Sequence, residues 1–165
     1  MLEFIMANSY YLIAIFLLLL GSAFFSSSET SMTALSRAKM HRLKQEGDKR
    51  AKHVEQLRDK KDLLLGSILI GNNLVNILAS ALVTKFFLDL FGDNGVALAT
   101  IFMTIILVIF GEIIPKTYAL YHANHLGLHY ARLLRIVVFL FSPFAQLARF
   151  ICLKIFVVFS DSCFC

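Results

Sequence analysis

The sequence predicts an all-α membrane protein of three transmembrane helices, with a cytosolic amphipathic helical hairpin and a juxtamembrane helix. Three observations carry that expectation. Of the 165 residues 58% are hydrophobic and 16% charged, against about 25% charged in ordinary soluble domains. The apolar residues gather into runs near the ~20 residues a helix needs to cross a ~30 Å hydrocarbon layer. The charge is concentrated in one block: ten of the 16 Lys and Arg fall between residues 37 and 61. A disordered chain needs low hydrophobicity and high net charge, so it is excluded. A soluble globular domain would lack polar surface. The net charge of +5 sits beside an apolar span, where membrane topology and anionic lipid explain it better than nucleic acid does.

The first span is expected over residues 4–30. It has Glu3 and no Lys or Arg before Arg37, so the basic start of a cleaved signal peptide is missing. Residues 37–62 read as a polar helical belt. Met40 and Leu43 are three apart, as are Ala51, Val54 and Leu57, and Gly47-Asp48 reads as a turn between two short helices. The positive-inside rule places this belt in the cytosol and the N-terminus outside. The second span is expected over residues 63–85 and the third over 96–117, joined outside by a turn at Asp93-Asn94-Gly95.

A fourth apolar stretch, about residues 133–159, is interrupted by Ser142-Pro143 and carries Arg149 and Lys154. Basic residues among bulky apolar ones suit one or two interfacial helices, with a fourth span as the rival. Residues 141–165 form the juxtamembrane tail. Cys152, Cys163 and Cys165, odd in number and gathered at one end, are no disulfide framework and read as free thiols.

Polar side chains inside apolar helices are costly, and all three spans carry them. The second holds Gly71-Asn72-Asn73-Leu74-Val75-Asn76. Asn72 and Asn76 share a helix face, as do Asn73 and Asn76. The third holds Phe110-Gly111-Glu112-Ile113-Ile114-Pro115-Lys116. Pro115 has no N–H, so the Gly111 carbonyl loses its helical partner beside the acid Glu112. The first ends in Ser22, Ser26, Glu29 or Thr30, and Thr33 at helical spacing. Each segment alone also fits a blander role: helix–helix hydrogen bonding for the amides, a kink with Glu112 paired to Lys116, or a capped helix end. Together they make an all-oxygen set suited to magnesium or calcium rather than zinc or copper. His122, His125 and His129 fit an amphipathic surface helix better than a transition-metal site. No nucleophile–base pair or Gly-rich phosphate loop suggests an enzyme.

Three segments carry a resemblance. Phe24-Phe25-Ser26-Ser27-Ser28-Glu29-Thr30, Ile70-Gly71-Asn72-Asn73-Leu74-Val75-Asn76-Ile77 and Phe110-Gly111-Glu112-Ile113-Ile114-Pro115-Lys116-Thr117 resemble, in order and separation, the motifs of the CNNM/CorC family of cyclin M-like and bacterial magnesium and cobalt efflux proteins. The resemblance covers about residues 4–140. It implies a homodimer in the bacterial inner membrane, magnesium export, and sodium as coupling ion; the mechanism expected is alternating access. A magnesium-binding regulator or sensor is the alternative. Carried onto this chain, it implies ion ligands at Ser26, Asn72, Asn76, Glu112 and the Gly111 carbonyl. Ser22, Ser28 and Asn73 come second, and Pro115 is a hinge. Cytosolic ion access is expected near Glu29 and Lys116. Ser27 stands where Gly is common and Gly111 where Ala is common. The family's ATP-binding CBS domains are not among these residues.

Overall fold

A computed structural model describes the backbone of residues 2–162 and the side chains of residues 9–148, 150 and 151. The thiols of Cys152, Cys163 and Cys165 lie outside the described side chains. The described elements are all helical: α1 (Leu2–Ala34), α2 (Arg37–Gln45), α3 (Lys49–Asp59), α4 (Lys61–Phe91), a 3-10 turn (Gly92–Asn94), α5 (Gly95–Ile106), a π-turn (Leu107–Ile113), α6 (Ile114–Tyr121) and α7 (Ala123–Ser162). Three stretches are long and apolar enough to cross a membrane: Ser9–Ala34, Lys61–Tyr121 and Ala123–Ala148.

The middle stretch folds back on itself. Gly92 at φ 61° turns the chain, in the left-handed region that glycine adopts without penalty. Gly95 then passes so close to α4 that a Cβ there would sit 2.3 Å from the Phe87 carbonyl. Ala79 and Val83 of α4 pack on Ala99 and Met103 of α5, and the Phe87 and Phe102 rings lie 5.4 Å apart. Lys61–Tyr121 is thus two antiparallel passes.

In hydrocarbon, apolar side chains gain little by leaving lipid, so helices associate through close packing at small residues. The seam of α1 and α4 shows this. The Phe25 ring lies on Gly71, where a Cβ would come within 2.6 Å of it, and Gly21 faces Val75. These pairs set an antiparallel register in which residue 21 stands level with 75 and 25 with 71. The third pass runs parallel to α1: Gly111 touches Ser22, and Lys116 reaches Glu29 at 3.4 Å. Large apolar side chains on the outer faces stay open, among them Phe16, Leu17, Ile77, Ile101 and Phe110. Water would not tolerate that surface and lipid does.

The belt is held by caps and one core. Ser36 accepts from the Lys39 N–H to start α2, and Asp48 accepts from the Arg50 N–H at 2.8 Å to start α3. Between them Gly47 takes φ 90°. Met40, Val54 and Leu57 join Leu64, Ile68, Ala131 and Leu134 in one cluster, which ties belt, α4 and α7 together. Arg58 donates to the Leu35 carbonyl at 3.0 Å, satisfying an acceptor just past the end of α1. Lys44 and His41 bond Glu55, and the Lys44 hydrogen bond holds its carboxyl below the ordinary range. Asp48 is lowered too, mainly by its bond to the Arg50 backbone.

Of the one or two helices expected over residues 133–159 the structure has one: α7 is continuous, with Pro143 inside it. Pro143 removes the partner of the Phe139 carbonyl, and Phe139 is 85% exposed, so the loss falls on an open face. One turn on, Gln146 donates to Ser142 Oγ at 2.8 Å. The tilt of α7 follows from two contacts. Gly127 meets Leu35 just beyond α1, and Ala145 meets Gly66 early in α4. Between them α7 advances about 27 Å along its own axis, but the contact points differ by only about 8 Å in depth along α1 and α4. It therefore runs steeply across the end of the bundle where the belt sits.

Two outcomes follow. Gly71→Ala should lower stability in a thermal melt of the purified protein by about 1–3 kcal/mol, the usual penalty for overpacking. Gly21→Ala, where a Cβ would meet Val75 at 3.4 Å, should be nearly silent. Asp48 and Glu55 both have lowered folded-state pKa values, so their contribution is complete above the ordinary carboxylate range. It fades as pH falls from that range through the lower folded values. Hydrogen exchange of the belt against pH should show this loss, and Asp48→Asn should flatten it.

Candidate ion-binding site

Helical rotation places the polar groups. On α1, Gly21 and Phe25 face α4, so Ser22 and Ser26, each one step on, turn to one flank of the seam. On α4, Gly71 and Val75 face α1, and Asn72 and Asn76 are likewise one step on. Because the helices run antiparallel, those steps turn both pairs to the same flank. The register sets Ser22 midway in depth between Asn72 and Asn76, about 3 Å from each level, and Ser26 about 3 Å beyond Asn72. The π-turn closes that flank, with Gly111 buried against Ser22: a Cβ at Gly111 would sit 2.8 Å from Ser22 Oγ. Three helices thus converge on one point, about 18 Å along α1 from Ala34.

The oxygens there lack partners. Ser22 Oγ, Ser26 Oγ, Asn72 Oδ1 and Asn76 Oδ1 are all buried without a hydrogen bond. Ser22 and Ser26 are fully buried and Asn72 nearly so. A buried, unsatisfied polar group costs about 1–3 kcal/mol, and natural structures rarely gather four in one place.

The π-turn adds backbone oxygens that sequence spacing identified only in part. Pro115 deprives the Gly111 carbonyl of its i+4 donor. The structure also shows Ile114 donating to Ile109 rather than to Phe110, so the Phe110 carbonyl loses its i+4 partner as well. Wide turns of this kind recur at functional sites. The signal that could have found it is Pro115 after Gly111, a place where a helix can widen by one residue.

Other expected residues fall differently. Glu112 is half-buried and has no ion-pair partner among the described residues. Lys116 pairs with Glu29 on α1, not with Glu112. Asn73 is exposed on α4, turned away from the seam. Ser28 Oγ is buried and unpaired, but helical rotation sets it toward Ser67, on the flank away from the π-turn. Ser67 Oγ is unpaired too and was not anticipated. His122 donates to the Tyr118 carbonyl and His129 to the His125 carbonyl. Among the described residues no group of three His, Cys, Asp or Glu could hold a metal ion. The convergent set is hydroxyl, amide and carbonyl oxygen with one carboxylate nearby, which suits a hard cation.

A family model described as the cyclin M transmembrane N-terminal domain matches residues 12–162. The chain is 41% identical over 140 residues to a UPF0053 protein of Haemophilus influenzae, covering 85% of this chain and 33% of that one. It is 50% identical over 98 residues to the UPF0053 inner membrane protein YfjD of Escherichia coli, covering 59% and 23%. A chloroplastic DUF21 domain-containing protein of Arabidopsis thaliana is 41% identical over 110 residues, covering 66% and 17%. The chain spans a third or less of the length of each of these relatives.

The unpaired oxygens generate an expectation opposite to the usual one. In chelator, Ser22→Ala should keep or raise thermal stability, by up to about 1 kcal/mol, because it removes an unsatisfied hydroxyl without opening a large cavity. Chelator melts of both proteins check this.

Proposed function

The chain belongs to the cyclin M transmembrane domain family and is an integral membrane protein, and from that premise we propose that it is the membrane part of a magnesium transporter working in the direction of export. The observation that carries this reading is the convergence of four unpaired buried side-chain oxygens, Ser22, Ser26, Asn72 and Asn76, on a π-turn whose Phe110 and Gly111 carbonyls lack their i+4 donors. Magnesium gives up its water reluctantly, so a site that strips it must offer several oxygens at once. Glu112 supplies the single negative charge. One carboxylate against a divalent ion leaves the site net positive, so the ion is released readily, as transport requires.

In this reading the protein is a homodimer in the bacterial inner membrane. The belt is cytosolic, the N-terminus outside, and α7 lies along the cytosolic membrane face, where its tilt and its exposed Arg132 and Arg135 favour the headgroups. The ion reaches the site between the cytosolic ends of α1 and α6. Opening that route breaks the half-exposed Glu29–Lys116 pair, with Pro115 as hinge. Sodium takes the same oxygens on the return stroke. The CBS and ATP-binding module of longer relatives would regulate these steps. The reaction is movement of an ion, with no catalytic residue.

The test is magnesium flux in proteoliposomes, with and without a sodium gradient. Flux should occur in the wild type and fall at least tenfold in Glu112→Ala and Asn76→Ala, with folding and dimerisation intact. A wild type without flux, but protected from heat by magnesium in a way Glu112→Ala abolishes, would replace the transporter with a magnesium-binding regulator.

A further inference from the structure

A second site lies where the belt meets α7. A cavity of about 430 Å³ there is lined by His53, Gln56, Leu57, Asp59, Lys60 and Arg135. We infer that this cavity binds the phosphate headgroup of an anionic phospholipid, with the acyl chain running along α7. The inference rests on the interfacial placement of α7 proposed above, and the ion site does not enter it.

Four observations support it. Lys60 and Arg135 are exposed, have no ion-pair partner among the described residues, and face one cavity together. The lining's one acid, Asp59, leaves the two cations in excess. The His53 imidazole lines the cavity as well, a further polar side chain beside the two cations. The lining also supplies the Gln56 amide, so a phosphate would meet a guanidinium, an ammonium and neutral donors together.

The neighbouring face of α7 selects lipid over a soluble anion. Arg132, Arg135 and Phe139 follow one another at i, i+3 and i+7, on one stripe of the helix. Phe139 is 85% exposed and Ile136 beside it is 62% exposed. A free phosphate has no use for that apolar strip, whereas a phospholipid covers it with its chain. The cavity sits at the start of α4, where the polar belt gives way to apolar helix, which is headgroup depth. Basic residues near an anionic leaflet each contribute about 1 kcal/mol.

The experiment uses the detergent-purified chain with phosphatidylglycerol, phosphatidylcholine or inorganic phosphate. Native mass spectrometry reads retained lipid, and thermal melts read protection. Phosphatidylglycerol should be retained and protect, phosphatidylcholine and inorganic phosphate should not. The Lys60→Gln, Arg135→Gln double variant should bind phosphatidylglycerol roughly tenfold more weakly or worse. Phe139→Ser should weaken lipid retention while leaving both charges in place, and Arg135→Lys, which keeps the charge, should retain most of the wild-type binding. Equal retention of phosphatidylcholine, an unaffected double variant that folds, or equal protection by inorganic phosphate would overturn the inference.

Discussion

The register of α1 against α4 governs the rest of the structure. It is fixed by a ring against a backbone: Phe25 lies on Gly71 with no room for a single added carbon. In lipid the seam has no hydrophobic drive to hold it, so that fit and the neighbouring Gly21–Val75 contact do so. Once they are set, antiparallel geometry brings the Ser22–Ser26 and Asn72–Asn76 faces to the same flank. A slip of the seam by one turn would separate the hydroxyls from the amides by about 5 Å. The third pass then seats Gly111 against Ser22, and the belt and α7 close over the opposite end of the seam.

The unpaired oxygens weigh against stability. Four buried oxygens without partners are a standing cost, and a bundle built only to persist would have apolar groups there. The charge arrangement follows the same logic. Glu29, near the end of α1, is neutralised by Lys116 across the helix pair. Glu112 is left to whatever the oxygens hold. An ion pair at the bundle end and an acid deeper in the membrane, without an ion-pair partner among the described residues, differ in kind: the first can break and reform cheaply near water, while the second is costly as an anion unless a cation joins it.

Much of this was legible in the sequence, and the limits have physical reasons. Length and hydropathy marked the passes, because a bilayer allows few alternatives to a helix. The belt was legible from apolar spacing and from Gly47-Asp48. The amides, hydroxyls and Gly111–Pro115 pair stood out because polar groups are conspicuous in apolar helices. What did not show was orientation: Asn73 reads like its neighbours, yet points out, because only the seam contacts settle which face is inward. The π-turn was hidden because a one-residue widening leaves no periodic trace. The sequence leaves open whether Ser142-Pro143 divides the last helix, because proline ends helices in water more readily than on an open face of a long apolar helix.

Anomalous diffraction from crystals grown with manganese, an oxygen-seeking stand-in for magnesium, tests the central claim most directly. The account predicts a peak bounded by Ser22, Asn72, Asn76 and the carbonyls of the π-turn, weakened or lost in Asn72→Ala. A structure in which those side chains bond to one another or to neighbouring carbonyls, with the metal elsewhere, would contradict it.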